Sequence, residues 1–199
     1  MMNMIFMKLA QWTSSPEHGF TSAYEQEPFV FGARRPGFPL SRVSSMFVHS
    51  WVAFMQAQSI TRVLCLLPPR QLDAYDDLLG TYRQRFGEHN VLWVPIDDFQ
   101  LAEEVQLIDQ ILPFLAEADQ NREKTVVHCS GGVGRTGHIL AAWLVSGRGM
   151  SNEEAIAAVK RQGRNARESR DKRLDTLLDQ CREAFSRIEG DQEARLGHQ

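Results

Sequence analysis

Lys124-Thr125-Val126-Val127-His128-Cys129-Ser130-Gly131-Gly132-Val133-Gly134-Arg135-Thr136-Gly137 is the stretch from which the rest of the chain can be read. Lys124 to Val127 is a short β-branched run and predicts a strand ending at His128. Ile139 to Val145 is apolar on nearly every side and predicts a buried helix starting near Arg135. A strand, a glycine-rich loop and a helix N-terminus together make an anion cradle. The glycines let the backbone turn its N–H groups inward, and the helix end adds a positive partial charge. Cys129 stands at the lip of this cradle and Arg135 closes the far side. Backbone dipoles and a fixed guanidinium favour a thiolate over a thiol. A merely structural cysteine followed by a turn would leave the Arg-Thr pair and the glycine spacing unexplained.

Cys-x5-Arg-Thr preceded by His resembles the signature loop of the cysteine-dependent protein tyrosine phosphatases. The resemblance implies that Cys129 is the nucleophile that takes the phosphoryl group. Arg135 would grip two phosphate oxygens in a bidentate fork, a geometry lysine lacks. The N–H groups of Ser130, Gly131, Gly132, Val133, Gly134 and Arg135 would bind the equatorial oxygens. Thr136 would hydrogen-bond the sulfur, and His128 would orient the loop. Neither a metal nor another cofactor is implied, since thiolate, guanidinium and one acid suffice.

An ester oxygen leaves poorly as a bare anion, so the reaction needs a proton donor. Upstream, Val91-Leu92-Trp93-Val94 predicts a strand, followed by Pro95-Ile96-Asp97-Asp98-Phe99. The family carries its acid on a movable loop before the cysteine. The larger tyrosine-specific members have Trp-Pro-Asp there, from which this chain departs. Its Asp98-Phe99 is similar to the Pro-Asp-Phe of small atypical dual-specificity phosphatases and points to Asp98, whereas spacing alone also admits Asp97. Glu168, after Gly163-Arg164-Asn165-Ala166-Arg167, resembles an auxiliary glutamate of some small members. The competing reading is a glutamate serving backbone N–H groups at a helix start.

Working outward, Phe29 to Arg34 predicts a first strand and Arg35-Pro36-Gly37-Phe38-Pro39 an irregular turn. Arg34 and Arg35 read as a solvated basic loop. Phe47, Val48, Trp51, Val52 and Met55 form a helical stripe, Thr61 to Leu67 a strand, and Leu72, Tyr75, Leu79, Tyr82 and Phe86 another stripe capped by Gly87. Asp76-Asp77 reads as helix surface. Leu101, Val105, Ile108, Leu112 and Leu115 predict a long amphipathic helix. Ser151-Asn152-Glu153-Glu154 is a capping box, and Leu174, Leu178, Cys181, Phe185 and Ile188 mark a last helix. The remaining histidines, His138 among them, read as structural or solvated. Tyr24, Phe31 and Phe38 are the aromatic residues available to wall a substrate slot. Cys65, at a strand end, is the cysteine expected to lie near enough to trap an oxidised Cys129.

Strands alternating with helices predict an α/β domain with a central, mostly parallel sheet flanked by helices, the signature loop lying at a strand's carboxyl end. The resemblance, spanning Phe29 to Phe185, makes that fold dual-specificity phosphatase-like. The division expected is residues 1–28 as an N-terminal extension, 29–189 as the phosphatase domain and 190–199 as a disordered polar tail.

The 199 residues suit one domain with a full core. A net charge of -3 argues against a general nucleic-acid binder. Three scattered cysteines suggest neither a disulfide framework nor a zinc site and fit a reducing cytoplasm. The apolar opening Met1 to Lys8 is too short for a signal sequence, and no stretch is long enough to span a membrane. The activity implied is hydrolysis of phosphotyrosine, phosphoserine or phosphothreonine esters on a protein or peptide. The alternatives are a non-protein phosphate (a phosphoinositide, a nucleotide or an RNA 5′ end) and a phosphate-binding module without turnover. Gly131, Gly132 and Val133 are neutral where lipid-directed relatives carry lysines.

Overall fold

A computed structural model describes residues 17–196. The Met1 to Lys8 opening and the Ser14-Ser15-Pro16 loop lie outside the described residues. Five strands, β1 (Thr21–Ser22), β2 (Val30–Arg34), β3 (Ile60–Cys65), β4 (Val91–Trp93) and β5 (Lys124–Cys129), form one sheet in the order β1-β2-β5-β3-β4. β1 pairs antiparallel with β2, and every other pairing is parallel. The chain is therefore the α/β domain that the alternation predicts. β5 is central and covered on both faces, which is why its sequence reads as a continuous β-branched run.

The helices are α1 (Ser45–Ala57), α2 (Pro69–Leu72), α3 (Leu78–Phe86), α4 (Glu104–Gln106), α5 (Leu112–Gln120), α6 (Gly134–Arg148), α7 (Asn152–Arg161) and α8 (Leu174–Leu196). They divide between two apolar layers. α1 and α3 bury Trp51, Val52, Met55 and Tyr82 against Val63, Cys65 and Val126 on one face of the sheet. On the other face α5, α6, α7 and α8 pack around Val127, Cys129 and Leu64. α6 lies inside this layer and is buried from Gly134 through Val145. Each fully buried Leu or Ile there contributes ~1.5–3 kcal/mol. Gly149, at φ 66, ends α6 in the left-handed cap that glycine accommodates. The Ser151/Glu154 capping box forms in both directions.

Four local expectations are corrected. Phe47 is 40% exposed, while Val48, Trp51, Val52 and Met55 are buried. The Leu72-to-Phe86 stripe is two helices, because Asp77 takes the Gly80 N–H at 2.9 Å and starts α3 afresh; it is a cap, not helix surface. Leu107–Ile111 is π-helical between α4 and α5, which shifts the phase of the stripe. Leu107, Ile111, Leu112 and Leu115 turn inward and Val105 is left 66% exposed. Finally, β1 lies within the segment read as an N-terminal extension and is joined to the sheet, while α8 runs to Leu196, into the stretch read as a tail.

Candidate active site

β5 delivers Cys129 to the carboxyl edge of the sheet, between Arg34 of β2 and the end of β3. The next four residues form the loop, and α6 starts at Gly134. The loop's carbonyls are taken by donors behind it. Ser130 O accepts Arg35 N–H at 3.1 Å, Val133 O accepts Gly137 N–H at 2.9 Å, and Gly132 O accepts the Arg164 guanidinium. These bonds occupy the carbonyls of Ser130, Gly132 and Val133. Gly132 makes the turn possible: its φ is 69, and a Cβ would stand 2.5 Å from Ala33 O.

Arg135 is 3% exposed. Its Nη1 donates to Gln71 Oε1 and to Ile96 O, both at 3.0 Å, and its Nη2 meets Asp98 Oδ1 at 3.0 Å. Asp98 thus reaches the Arg135 guanidinium. Asp97 points elsewhere, pairing with Arg70 at 3.2 Å on the surface. Thr136 is fully buried and its hydroxyl has no hydrogen-bond partner, so the expected bond to sulfur is not made in this structure. Glu168 is exposed and packs against α6 where it begins; a Cβ on Gly134 would lie 2.1 Å from Glu168 Oε2.

His128 is fully buried behind the loop. Cys129 O can only accept, so Nδ1, 3.3 Å away, carries the proton, and Nε2 accepts from Tyr82 O–H at 3.2 Å. Burial, aided by Arg135 and Arg35, lowers its pKa to about 4 against the pull of the Cys129 carbonyl bond. A neutral ring is thus held between the Tyr82 hydroxyl and the Cys129 carbonyl.

Arg35, which read as solvated, and Arg164, which carried no reading of its own, are built into the site. Arg35 is 8% exposed and donates to Ser130 Oγ at 3.2 Å, Tyr75 O–H at 2.8 Å and Leu40 O at 2.6 Å. Arg164 is 4% exposed, runs under Gly32 and reaches Gly132 O, Gly19 O and Thr21 Oγ1. Burial brings its pKa down to about 10, and Cys129 pulls the other way. Among the described residues neither arginine pairs with a carboxylate. Local sequence gave no signal for this burial, since their acceptors lie far away in the chain. Of the aromatic candidates, Phe38 stands beside the loop, 3.8 Å from where a Gly131 Cβ would be. Phe31 stacks on Phe20, and Tyr24 packs into the core layer.

Cys65 does not lie where a disulfide would need it. It pairs in register with His128 and packs in the layer on the opposite face from Cys129. Burial pushes its thiol up to about 12.

Comparison with known proteins bears on the family of the chain. The family model described as dual specificity phosphatase, catalytic domain, matches residues 45–179. The dual specificity protein phosphatase OPG106 of vaccinia virus (strain Western Reserve) is 33% identical over 67 residues, or 34% of this chain and 37% of the viral protein. The variola virus protein H1, also a dual specificity protein phosphatase, is 33% identical over 57 residues, 29% of this chain and 33% of its own length. The matched segments thus span about a third of these relatives. Among solved structures, Tk-PTP in its active form superposes with a TM-score of 0.62 at 27% identity, covering 79% of this chain and 93% of that one. Kinase associated phosphatase, with its catalytic cysteine replaced by serine, shares the fold with a TM-score of 0.66 at 19% identity, covering 87% and 97%. The family match covers the sheet strands β3, β4 and β5, the cysteine loop and the helix behind it. This chain belongs to the dual specificity phosphatase catalytic-domain family.

Proposed function

We propose that the chain hydrolyses phosphomonoesters of tyrosine, serine or threonine on a protein or peptide through a phosphocysteine on Cys129. The observation that carries the reading is the charge around the loop. Three buried guanidiniums, Arg35, Arg135 and Arg164, surround it, and Asp98 pairs with Arg135. Buried charges have to be balanced. A thiolate and a phosphate dianion balance three guanidiniums when Asp98 is protonated, the state required before a leaving group is protonated. A phosphodiester, with a single negative charge, leaves the site positive.

In the first step the Cys129 thiolate attacks phosphorus in line, the S–P bond forms and the P–O ester bond breaks. Asp98 passes its proton to the departing oxygen. The Arg135 fork and the loop N–H groups hold the equatorial oxygens, and such preorganised donors are typically worth ~3–4 kcal/mol each. In the second step water attacks phosphorus, Asp98 takes its proton, and the thiolate leaves. The unpartnered Thr136 hydroxyl is available to stabilise that sulfur. Asp97, tied to Arg70, is the weaker candidate for the acid, and Glu168, beside the start of α6, would orient the water. His128 holds the loop.

The test is release of p-nitrophenolate with a chelator present, followed by phosphotyrosine and phosphothreonine peptides and a short-chain phosphoinositide as competing substrates. Metal-independent turnover that disappears in Cys129→Ser, with the peptides preferred, supports the reading. Activity retained in Cys129→Ser defeats it. A preference for the phosphoinositide redirects it to lipid; PTPMT1, solved in complex with PI(5)P, shares the fold with a TM-score of 0.64 at 14% identity.

A further inference from the structure

His138 is fully buried on α6 and takes no part in the mechanism above. Its Nε2 lies 3.1 Å from the backbone N of Ala102, 36 residues upstream. A backbone N–H only donates, so Nε2 is the acceptor and the ring proton sits on Nδ1, which bonds the Gly134 carbonyl. Burial and Arg135 bring the ring's pKa to about 4. The neutral tautomer that makes both bonds is the form present at neutral pH.

What His138 grips is the loop that carries Asp98. That loop is an unusual piece of backbone. Phe99 adopts φ 62, a left-handed conformation that a non-glycine residue holds only when its surroundings impose it. Gln100 N–H closes a turn on Asp97 O at 3.1 Å. Phe99 O is bonded by Ser169 Oγ at 2.9 Å and Arg170 N at 3.0 Å. On the near side, Ile96 N–H reaches Leu66 O at 3.2 Å and Ile96 O accepts Arg135 Nη1. Arg135 and His138 are three residues apart on one helix and therefore point to the same side, one turn after the other. The first holds the loop at Ile96 and Asp98. The second holds it at Ala102, past the turn.

We infer that His138 is a positioning residue for the general acid: its bond to Ala102 ties the Asp98 loop to the helix that carries the phosphate clamp. The distance between proton donor and leaving oxygen is then set by one rigid element. This rests on the assignment of Asp98 as the acid, and it adds a residue that touches neither phosphate nor leaving group.

The experiment compares His138→Leu, which removes the acceptor, with His138→Gln, whose amide oxygen can take the place of Nε2. Each is assayed on p-nitrophenyl phosphate, whose leaving group needs little protonation, and on phenyl phosphate, whose leaving group needs much. His138→Leu should lower kcat on phenyl phosphate about 10-fold more than on p-nitrophenyl phosphate, with KM for the latter unchanged, as expected when acid catalysis weakens. His138→Gln should return the ratio toward wild type. Ala102→Pro removes the donor from the other side and should reproduce the leucine variant, which keeps the test decisive should the leucine variant fold poorly. A loss of the same size on both substrates, or none on either, overturns the inference. Asp98→Ala serves as the reference. If it widens the ratio and the His138 and Ala102 variants do not, the inference alone falls. If Asp98→Ala itself leaves the ratio unchanged, the acid assignment falls and the inference with it.

Discussion

Gly132→Ala and Gly149→Ala separate the cost of a backbone conformation from the cost of a contact. The two glycines have nearly the same φ, 69 and 66. A side chain at such an angle costs ~1–2 kcal/mol, and both substitutions stiffen the unfolded chain alike. Around Gly149 nothing lies within 4 Å of an added Cβ. At Gly132 the added Cβ would stand 2.5 Å from Ala33 O, 2.8 Å from Ala33 C and 3.0 Å from Arg34 N. These are backbone atoms of β2, fixed by pairing with His128 and Cys129, so the loop has to move instead. Forcing an extra methyl into packed structure adds ~1–3 kcal/mol. Movement of the loop also disturbs the Gly132 O contact with Arg164, and misplacement by ~1 Å at a reacting centre costs about 100-fold. Urea melts should therefore show Gly132→Ala less stable than Gly149→Ala by ~1–3 kcal/mol. kcat/KM on p-nitrophenyl phosphate should fall about 100-fold in the first and stay near wild type in the second. Equal melts together with an active Gly132→Ala enzyme would refute the claim that β2 backbone fixes the loop.

Asp98→Ala should slow phenyl phosphate turnover ~100-fold more than p-nitrophenyl phosphate turnover and flatten the alkaline limb of the pH profile. Asp97→Ala, which loses a surface pair with Arg70, should do neither; an exchange of these behaviours moves the acid to Asp97. Arg164→Met removes the guanidinium from Gly132 O, Gly19 O and Thr21 Oγ1 and should cost ~2–4 kcal/mol in a urea melt and most of the turnover. The exposed neighbour Arg161→Ala should stay within ~0.5 kcal/mol of wild type, and equal effects at the two positions would contradict the buried role of Arg164. His128 and His138 are both lowered from 6.5 to about 4, so below pH 6.5 the unfolded chain binds protons that the folded chain refuses. Their contribution is whole above pH 6.5 and is lost on the way down to pH 4, by ~1 kcal/mol per histidine between pH 7 and 5.5. Urea midpoints unchanged across that interval in wild type would rule out neutral buried rings.

The centre of the molecule was legible because its signals are local. A β-branched strand, a glycine loop and an apolar helix stand next to one another between Lys124 and Val145, and each element has the sequence its burial demands. Capping was legible for the same reason: Ser151 and Glu154 lie within one turn. What stayed hidden depends on partners distant in sequence. Arg35 and Arg164 look like ordinary loop cations until Ser130, Gly132 and Gly19 are folded around them. His138 carries no motif, and only the fold brings Ala102 to it. The two-residue strand Thr21–Ser22 is too short for periodicity to register. The π-helical stretch Leu107–Ile111 breaks the very spacing from which a buried stripe is inferred, which is why Val105 was placed inside and lies outside. The Cys65 expectation failed on strand parity, since side chains alternate and Cys65 shares its face with His128.

The central claim is that Cys129 takes the phosphoryl group covalently. It is tested most directly by acid-quenching the enzyme milliseconds after mixing with p-nitrophenyl phosphate and mapping the modified peptide by mass spectrometry under conditions that preserve phosphothiols. The account predicts one phosphoryl group, on Cys129, forming at the rate of the p-nitrophenolate burst and absent from Cys129→Ser. Turnover with no phosphothiol on Cys129, or a phosphoryl group carried by another residue at the burst rate, would contradict it.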